Sequence, residues 1–145
     1  MKYTCETTIR LPRQRVIELF DNPENLKYWM PGLEKFEHIS GEPGKPGAQS
    51  RLEFKMGKRK MVMIETITVR NLPHEFSGTY EVNNVYNEVK NFFEELPDGT
   101  TKYSTENYFR FSGVMKIFAF FMGSAFRKTS QDYLERFKAF AEKQS

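Results

Sequence analysis

Three polar residues, Glu65, Tyr80 and Asn87, fall where the sequence predicts an apolar surface. Glu65 lies between Met63 and Ile67 in an alternating strand pattern. An inward carboxylate is costly to ionise, so burial is expected to raise its pKa. It could orient a ligand hydroxyl, or act as a general acid or base while Tyr80 or Asn87 polarises a carbonyl. A structural carboxylate, either bonded to a neighbouring Tyr or Asn or exposed at a bulge, is the alternative.

Other familiar catalytic and metal-binding patterns are missing from the sequence. Cys5 is the single cysteine, which excludes an internal disulfide and a thiolate metal cluster. His38 and His74 do not have the spacing of metal ligands. A Gly-rich phosphate loop and a nucleophile elbow are also lacking. We therefore expect neither a metal nor another cofactor.

Turn residues and hydrophobic periodicity divide the chain into elements that would position these groups. Gly, Pro and Asn clusters separate segments of about 8 to 12 residues, which is typical of an antiparallel meander. Helical spacing surrounds that meander on both sides. The predicted strands are 3–10, 33–40, 48–56, 59–70, 75–83, 85–96 and 101–111, and the predicted helices are 13–20, 24–29 and 114–143.

Alternation within each strand predicts which residues face the interior. In the segment 59–70 it places Val69 inward and Arg70 outward. Two asparagines, Asn87 and Asn107, fall inward and need hydrogen-bond partners or a ligand. The inward positions taken as an apolar lining are Met61, Met63, Ile67, Val89, Phe109 and Phe111.

The last helix begins with the most apolar stretch of the chain, "VMKIFAFFMGSAF". Its spacing predicts that Phe118, Met122 and Phe126 face the sheet. The uncharged run 117–126 would be only about 15 Å long as a helix, against roughly 30 Å for a hydrocarbon core. We therefore expect no transmembrane segment, and a weak contact with a membrane surface stays open as an alternative.

Length and charge restrict the function classes. A chain of 145 residues fits one domain, 1–145. The 22 basic and 19 acidic residues give a net charge of only +3 and are spread along the chain, so no nucleic-acid partner is expected. The N-terminus lacks the apolar core of a signal peptide, which makes the cytoplasm the expected location. The oligomeric state stays open.

The element order β-α-α-β6-α and several local phrases resemble the START-like superfamily, also called the helix-grip or SRPBCC fold. The phrases are "LPRQRVIELFDNPENLKYWMPGLE", "SGEPGKPGAQSRLEFKMG", "YEVNNVYNEVKNFFEE", "FRFSGVMKIF" and "YLERFKAFAE". The likeness covers nearly the whole chain and is strongest to the bacterial polyketide cyclase/dehydrase and lipid-transport branch. It implies an α+β helix-grip fold, in which a curved seven-stranded antiparallel sheet grips the long helix around an apolar cavity.

The resemblance implies several functions, because the superfamily includes carriers, receptors, cyclases and chaperone activators. The leading hypothesis is binding of a small hydrophobic molecule, lipid-, polyketide- or aromatic-like, between the sheet and the last helix. A cyclase or hydratase/dehydratase acting on such a molecule is the first alternative, and a protein-interaction module is the second. The expected ligand-binding residues are Trp29, Met61, Met63, Glu65, Ile67, Tyr80, Asn87, Val89, Asn107, Phe109, Phe118, Met122 and Phe126.

Overall fold

A seven-stranded antiparallel sheet and one long helix dominate the structure, a computed structural model that describes residues 1–144. Two short helices lie between the first and second strands, separated by a single 3-10 turn at Pro23–Asn25. The elements are β1 Lys2–Ile9, α1 Arg13–Phe20, α2 Leu26–Trp29, β2 Leu33–Ser40, β3 Gln49–Met56, β4 Arg59–Asn71, β5 Glu75–Val82, β6 Val85–Glu95, β7 Thr101–Phe111 and α3 Met115–Lys143.

The strand order is β1-β7-β6-β5-β4-β3-β2, so β1 crosses to pair with the last strand while the others form a meander. The predicted turn residues occupy left-handed backbone conformations, with φ of 64° at Gly57 and 47° at Asn83. The helix-grip fold and the element order predicted from the sequence are therefore confirmed. Element ends differ from the predicted bounds by one or two residues.

A bulge in β4 reverses part of the predicted inner face. The pairing of β4 with β5 shifts between Ile67 and Val69, so that Val69 lies opposite Ser77 and Arg70 opposite Phe76. Because Phe76 faces the interior, Arg70 does too, and the prediction that Arg70 points outward and Val69 inward is wrong. One extra residue in a strand inverts the faces of all residues beyond it.

An aromatic cluster fixes α1, α2 and α3 to the sheet. The Phe20 ring lies 5.0 Å from Phe93 and 5.8 Å from Phe137, measured between centroids, and packs edge-on against both. Trp29 and Tyr103 lie 5.2 and 5.6 Å from Phe137. Phe137 is fully buried. Each aromatic pair of this kind stabilises a fold by about 0.5–1.5 kcal/mol, in addition to the effect of burying its apolar area.

The two halves of α3 have different surroundings. In the C-terminal half, residues 127–143, Leu134, Phe137 and Ala141 are buried. In the N-terminal half, residues 115–126, Phe118 and Met122 are 58% and 45% exposed. The N-terminal half meets the sheet at Phe126, whose ring lies 5.2 Å from Phe109 and 5.3 Å from Phe111.

The prediction that Phe118 and Met122 face the sheet alongside Phe126 is therefore wrong, whereas that for Phe126 is confirmed. The reason is helical drift: residues four apart are rotated by about 40° relative to each other. Two such steps place Phe118 about 80° around the axis from Phe126. The helix runs through Gly123 without a break.

None of the helices in residues 1–144 is long and apolar enough to cross a membrane. In the apolar stretch that begins α3, Phe126 contacts the sheet and most of the other large side chains are exposed.

The unequal burial of α3 predicts unequal effects of the same substitution. Phe137→Ala should lower the free energy of unfolding by about 3–5 kcal/mol, because it leaves a cavity in the aromatic cluster. Phe120→Ala, at a position 83% exposed on the same helix, should change it by less than about 0.5 kcal/mol. Urea denaturation followed by circular dichroism measures both, and similar losses in the two variants would contradict the described anchoring.

Candidate functional site

A partly open cavity of about 170 Å³ lies between the α1–α2 segment and the inner face of strands β2 to β5. Its wall is mainly apolar. The apolar residues are Phe20, Pro23, Leu26, Trp29, Met30, Phe36, Ala48, Ile67 and Phe76, and the loop before β3 adds Pro43 and Gly44. The polar residues are Asp21, His38, Ser50, Glu65, Arg70 and Tyr80.

This position differs from the expected one between the sheet and the last helix. In the described part of the chain, the lining residues come from the α1–α2 segment, β2 to β5 and the loop before β3. The C-terminal half of α3 fills its share of the sheet with Phe137, and the N-terminal half leaves Phe118 exposed. The short helices, which carry Phe20 and Trp29, therefore form the cavity roof.

A row of polar side chains crosses the inner face through the cavity. Antiparallel pairing places each of them directly opposite the next on five neighbouring strands. Residues in such positions have Cβ atoms about 4.5–5.5 Å apart, close enough to share a ligand or a proton. From β6 to β2, this polar row consists of Asn87, Tyr80, Glu65, Ser50 and His38.

Glu65 and Tyr80 form the central pair of the polar row. The Tyr80 hydroxyl donates a hydrogen bond of 2.7 Å to Glu65 Oε2. Burial raises the pKa of the Glu65 carboxyl, and the hydrogen bond from Tyr80 opposes that rise. The pKa of Tyr80 is raised well above its usual value by burial and by the Glu65 charge. Tyr80 is consequently a neutral donor, and the Glu65 carboxyl ionises at a higher pH than an exposed carboxyl does.

Two further polar groups belong to residues that line the cavity. The indole Nε1–H of Trp29 is buried without a hydrogen-bond partner in the described structure, a costly state that a bound acceptor would relieve. On the opposite side, Arg70 donates two hydrogen bonds to the Asp21 carboxylate, at 2.8 and 2.6 Å. This bidentate pair joins β4 to the end of α1 and raises the pKa of Arg70.

The structure brings Trp29, Glu65, Ile67 and Tyr80 together at the cavity, four of the residues expected from the sequence. The other expected positions lie elsewhere, on the inner face of the sheet or on α3. They are Met61, Met63, Asn87, Val89, Asn107, Phe109, Phe118, Met122 and Phe126.

The two asparagines already have partners within the protein. Asn87 Nδ2 donates to the Tyr108 carbonyl at 3.2 Å, and Asn107 Nδ2 donates to Thr105 Oγ1 at 2.9 Å. Asn107 is buried in the sheet, where this bond replaces its bond to water. Asn107 therefore has a local structural explanation, whereas Asn87 also extends the polar row.

Sequence reasoning missed His38, Ser50 and Phe36 because it assigned no inner face to β2 and β3. A usable signal was present. Leu52 and Phe54 are buried in β3, and the same parity includes Ser50. Phe36 shares its parity in β2 with His38, which pairs with Ser50. The inward turn of Arg70 had no such signal, since it depends on the bulge.

The polar groups of the cavity lining are carboxyl, phenol, hydroxyl, imidazole, guanidinium and indole groups. Within residues 1–144, no three His, Cys, Asp or Glu side chains cluster in a way that could hold a metal ion. Cys5 is buried away from the cavity lining in the β1 core, and burial raises the pKa of its thiol. A protonated thiol is a poor nucleophile. Glu65 is thus the strongest candidate for an acid or base.

Solved structures of several proteins share this fold at low sequence identity. An aromatase/cyclase from a Streptomyces species has a TM-score of 0.79 and 12% identity over 99% of this chain and 94% of that one. A conserved protein from Geobacillus kaustophilus has a TM-score of 0.79 and 15% identity, covering 99% and 96%. A protein from Thermus thermophilus has a TM-score of 0.73 and 19% identity, covering 100% and 99%.

Comparison with curated proteins by sequence gives no significant match. Identities this low establish the fold and leave the activity undetermined. The family profile is more specific, since it matches residues 1–142, from the first strand almost to the end of α3. The chain therefore belongs to the family described as polyketide cyclase / dehydrase and lipid transport.

Proposed function

We propose that this protein binds a small, mostly apolar molecule that carries one hydrogen-bonding oxygen. The observation that carries the proposal is the Glu65–Tyr80 pair in a cavity whose wall is mainly apolar. Apolar pockets with a few convergent polar groups are the usual form of small-molecule sites. Membership of a family described by cyclase, dehydrase and lipid-transport functions supports the same class of ligand.

The cavity volume restricts the buried part of the ligand. At about 170 Å³ it is close to the 150 Å³ of an engineered cavity that holds benzene. One six-membered ring therefore fits, while a long acyl chain would have to extend beyond the cavity.

The polar groups specify an oxygen on that ring. When Glu65 is protonated, the Glu65–Tyr80 pair holds two protons, of which one joins the two groups and the other is free to bind a ligand oxygen. The buried N–H of Trp29 has no partner in the described structure. Hydrogen-bonding groups in a mainly apolar space favour a ligand with a carbonyl or hydroxyl oxygen over a purely hydrocarbon ligand. Each satisfied bond should contribute about 0.5–1.5 kcal/mol to binding.

Cyclohexanone is a suitable probe, since it combines one ring with a carbonyl. Trp29 is the only tryptophan, so its indole N–H gives a single identifiable signal in ¹H–¹⁵N NMR spectra. We expect that signal to shift on titration with cyclohexanone. Ser50→Phe should abolish the shift, because a phenyl ring occupies most of a cavity of this size.

Ser40→Phe is the matched control, because Ser40 lies at the exposed end of β2. It should leave the titration unchanged. If Ser50→Phe remains folded and still shows the parent shift, the ligand binds elsewhere and the proposal fails.

A second candidate function, acid–base catalysis on a bound carbonyl compound, is favoured by the raised pKa of Glu65. In this reaction the ionised Glu65 removes a proton from the carbon next to the carbonyl. The C–H electrons form an enolate, whose oxygen accepts a hydrogen bond from Tyr80 or Trp29. Return of a solvent-derived proton from Glu65 completes an isotope exchange, with no other reactant needed.

Deuterium incorporation into cyclohexanone in D₂O, followed by NMR, tests this chemistry. The ionised form is the base, so the protein-catalysed rate should rise with pH through a midpoint above the usual Glu value of 4.5 and then level off. Glu65→Gln should lower the plateau by at least about 100-fold. It should leave the Trp29 signal shift largely intact. Exchange at the buffer rate in the parent protein would rule out catalysis of this exchange while leaving the binding proposal standing.

A further inference from the structure

The N-terminal half of α3 presents a large apolar surface to solvent. Phe120 is 83% exposed, Phe121 74%, and Ile117 64%. The rings of Phe120 and Phe121 contact each other at 5.3 Å and extend this surface. We call this surface the outer patch, and it consists of Val114, Ile117, Phe118, Phe120, Phe121 and Met122.

Three residues of the outer patch lie on the helix face turned away from the sheet. At about 100° per residue, Val114, Ile117 and Phe121 project roughly opposite to the stripe that contains the buried Leu134 and Phe137. Neither the hydrophobic core nor the ligand cavity explains an apolar face in this direction. Exposed apolar surfaces of this extent mark interaction sites.

The charge around the outer patch is of one sign. No acidic residue occurs between Glu106 and Asp132, whereas Lys116, Arg127 and Lys128 lie within or beside the apolar stretch. All three cations are exposed. A short helix with bulky apolar side chains and flanking cations is typical of segments that lie in the headgroup region of anionic membranes.

We propose that the outer patch docks this protein on an anionic lipid surface, with α3 lying in the plane of the membrane. The segment 114–125 is about 18 Å long as a helix, which suits an interfacial position. An isologous contact with a second copy would press Lys128, which projects within about 20° of Ile117 and Phe121, against an apolar surface, and this disfavours a homodimer through this face. The proposal is independent of the ligand and of the catalysis considered above.

Vesicle flotation tests this docking. The parent protein should bind vesicles of phosphatidylcholine with about 30% phosphatidylglycerol, and bind pure phosphatidylcholine vesicles at least about tenfold more weakly. Phe120→Ser combined with Phe121→Ser should weaken binding to the anionic vesicles by at least about tenfold. Lys116→Glu combined with Lys128→Glu should weaken it by a similar factor and reduce its salt dependence.

Ile39→Ser is the matched control, because Ile39 is 49% exposed on β2. That strand forms the opposite edge of the sheet from β1, on which α3 packs. It should bind like the parent. Circular dichroism verifies that each variant is folded, and the exposure of both phenylalanines makes loss of the fold unexpected. Unchanged binding in the double serine variant overturns the proposal. Failure of the parent to bind anionic vesicles, or light scattering that shows a dimer lost in that variant, overturns it equally.

Discussion

The contact of Phe20 with Phe137 is the interaction on which the arrangement of this protein depends. It joins α1 to the C-terminal half of α3, and both rings also meet Tyr103 of the sheet. Trp29 packs against the same two rings, so α2 is held in place as well. Because one face of Phe20 belongs to this core and another lines the cavity, the packing that stabilises the fold also fixes the cavity roof.

The sheet provides most of the polar side chains that line the cavity beneath Phe20 and Trp29. Direct pairing across the strands sets Glu65 between Tyr80 and Ser50, and the bulge in β4 turns Arg70 inward to meet Asp21. A carboxyl held among apolar side chains ionises reluctantly, which makes it useful both as a donor to a ligand oxygen and as a base at higher pH. The proposed binding and the proposed proton transfer therefore involve the same Glu65–Tyr80 pair, and their tests separate them by exchange rate and by NMR signal shift.

Much of this architecture could be predicted from the sequence, because turn residues and alternation are local signals. They identified every strand and helix, and they placed Glu65 and Tyr80 on one face. The inward turn of Arg70 was not predictable, since a bulge leaves no clear mark on composition. The exposure of Phe118 was missed because apolar spacing alone does not say which side of a helix meets the sheet. The cavity's place beneath Trp29 depends on packing among distant segments.

The aromatic cluster anchors only the C-terminal half of α3, and the N-terminal half is held mainly at Phe126. Amide hydrogen exchange along α3 measures this directly, since protection reports local stability. We predict that amides of residues 130–142 exchange at least about tenfold more slowly than those of 118–125, a difference of about 1.4 kcal/mol. Equal protection along the whole helix would contradict the claim.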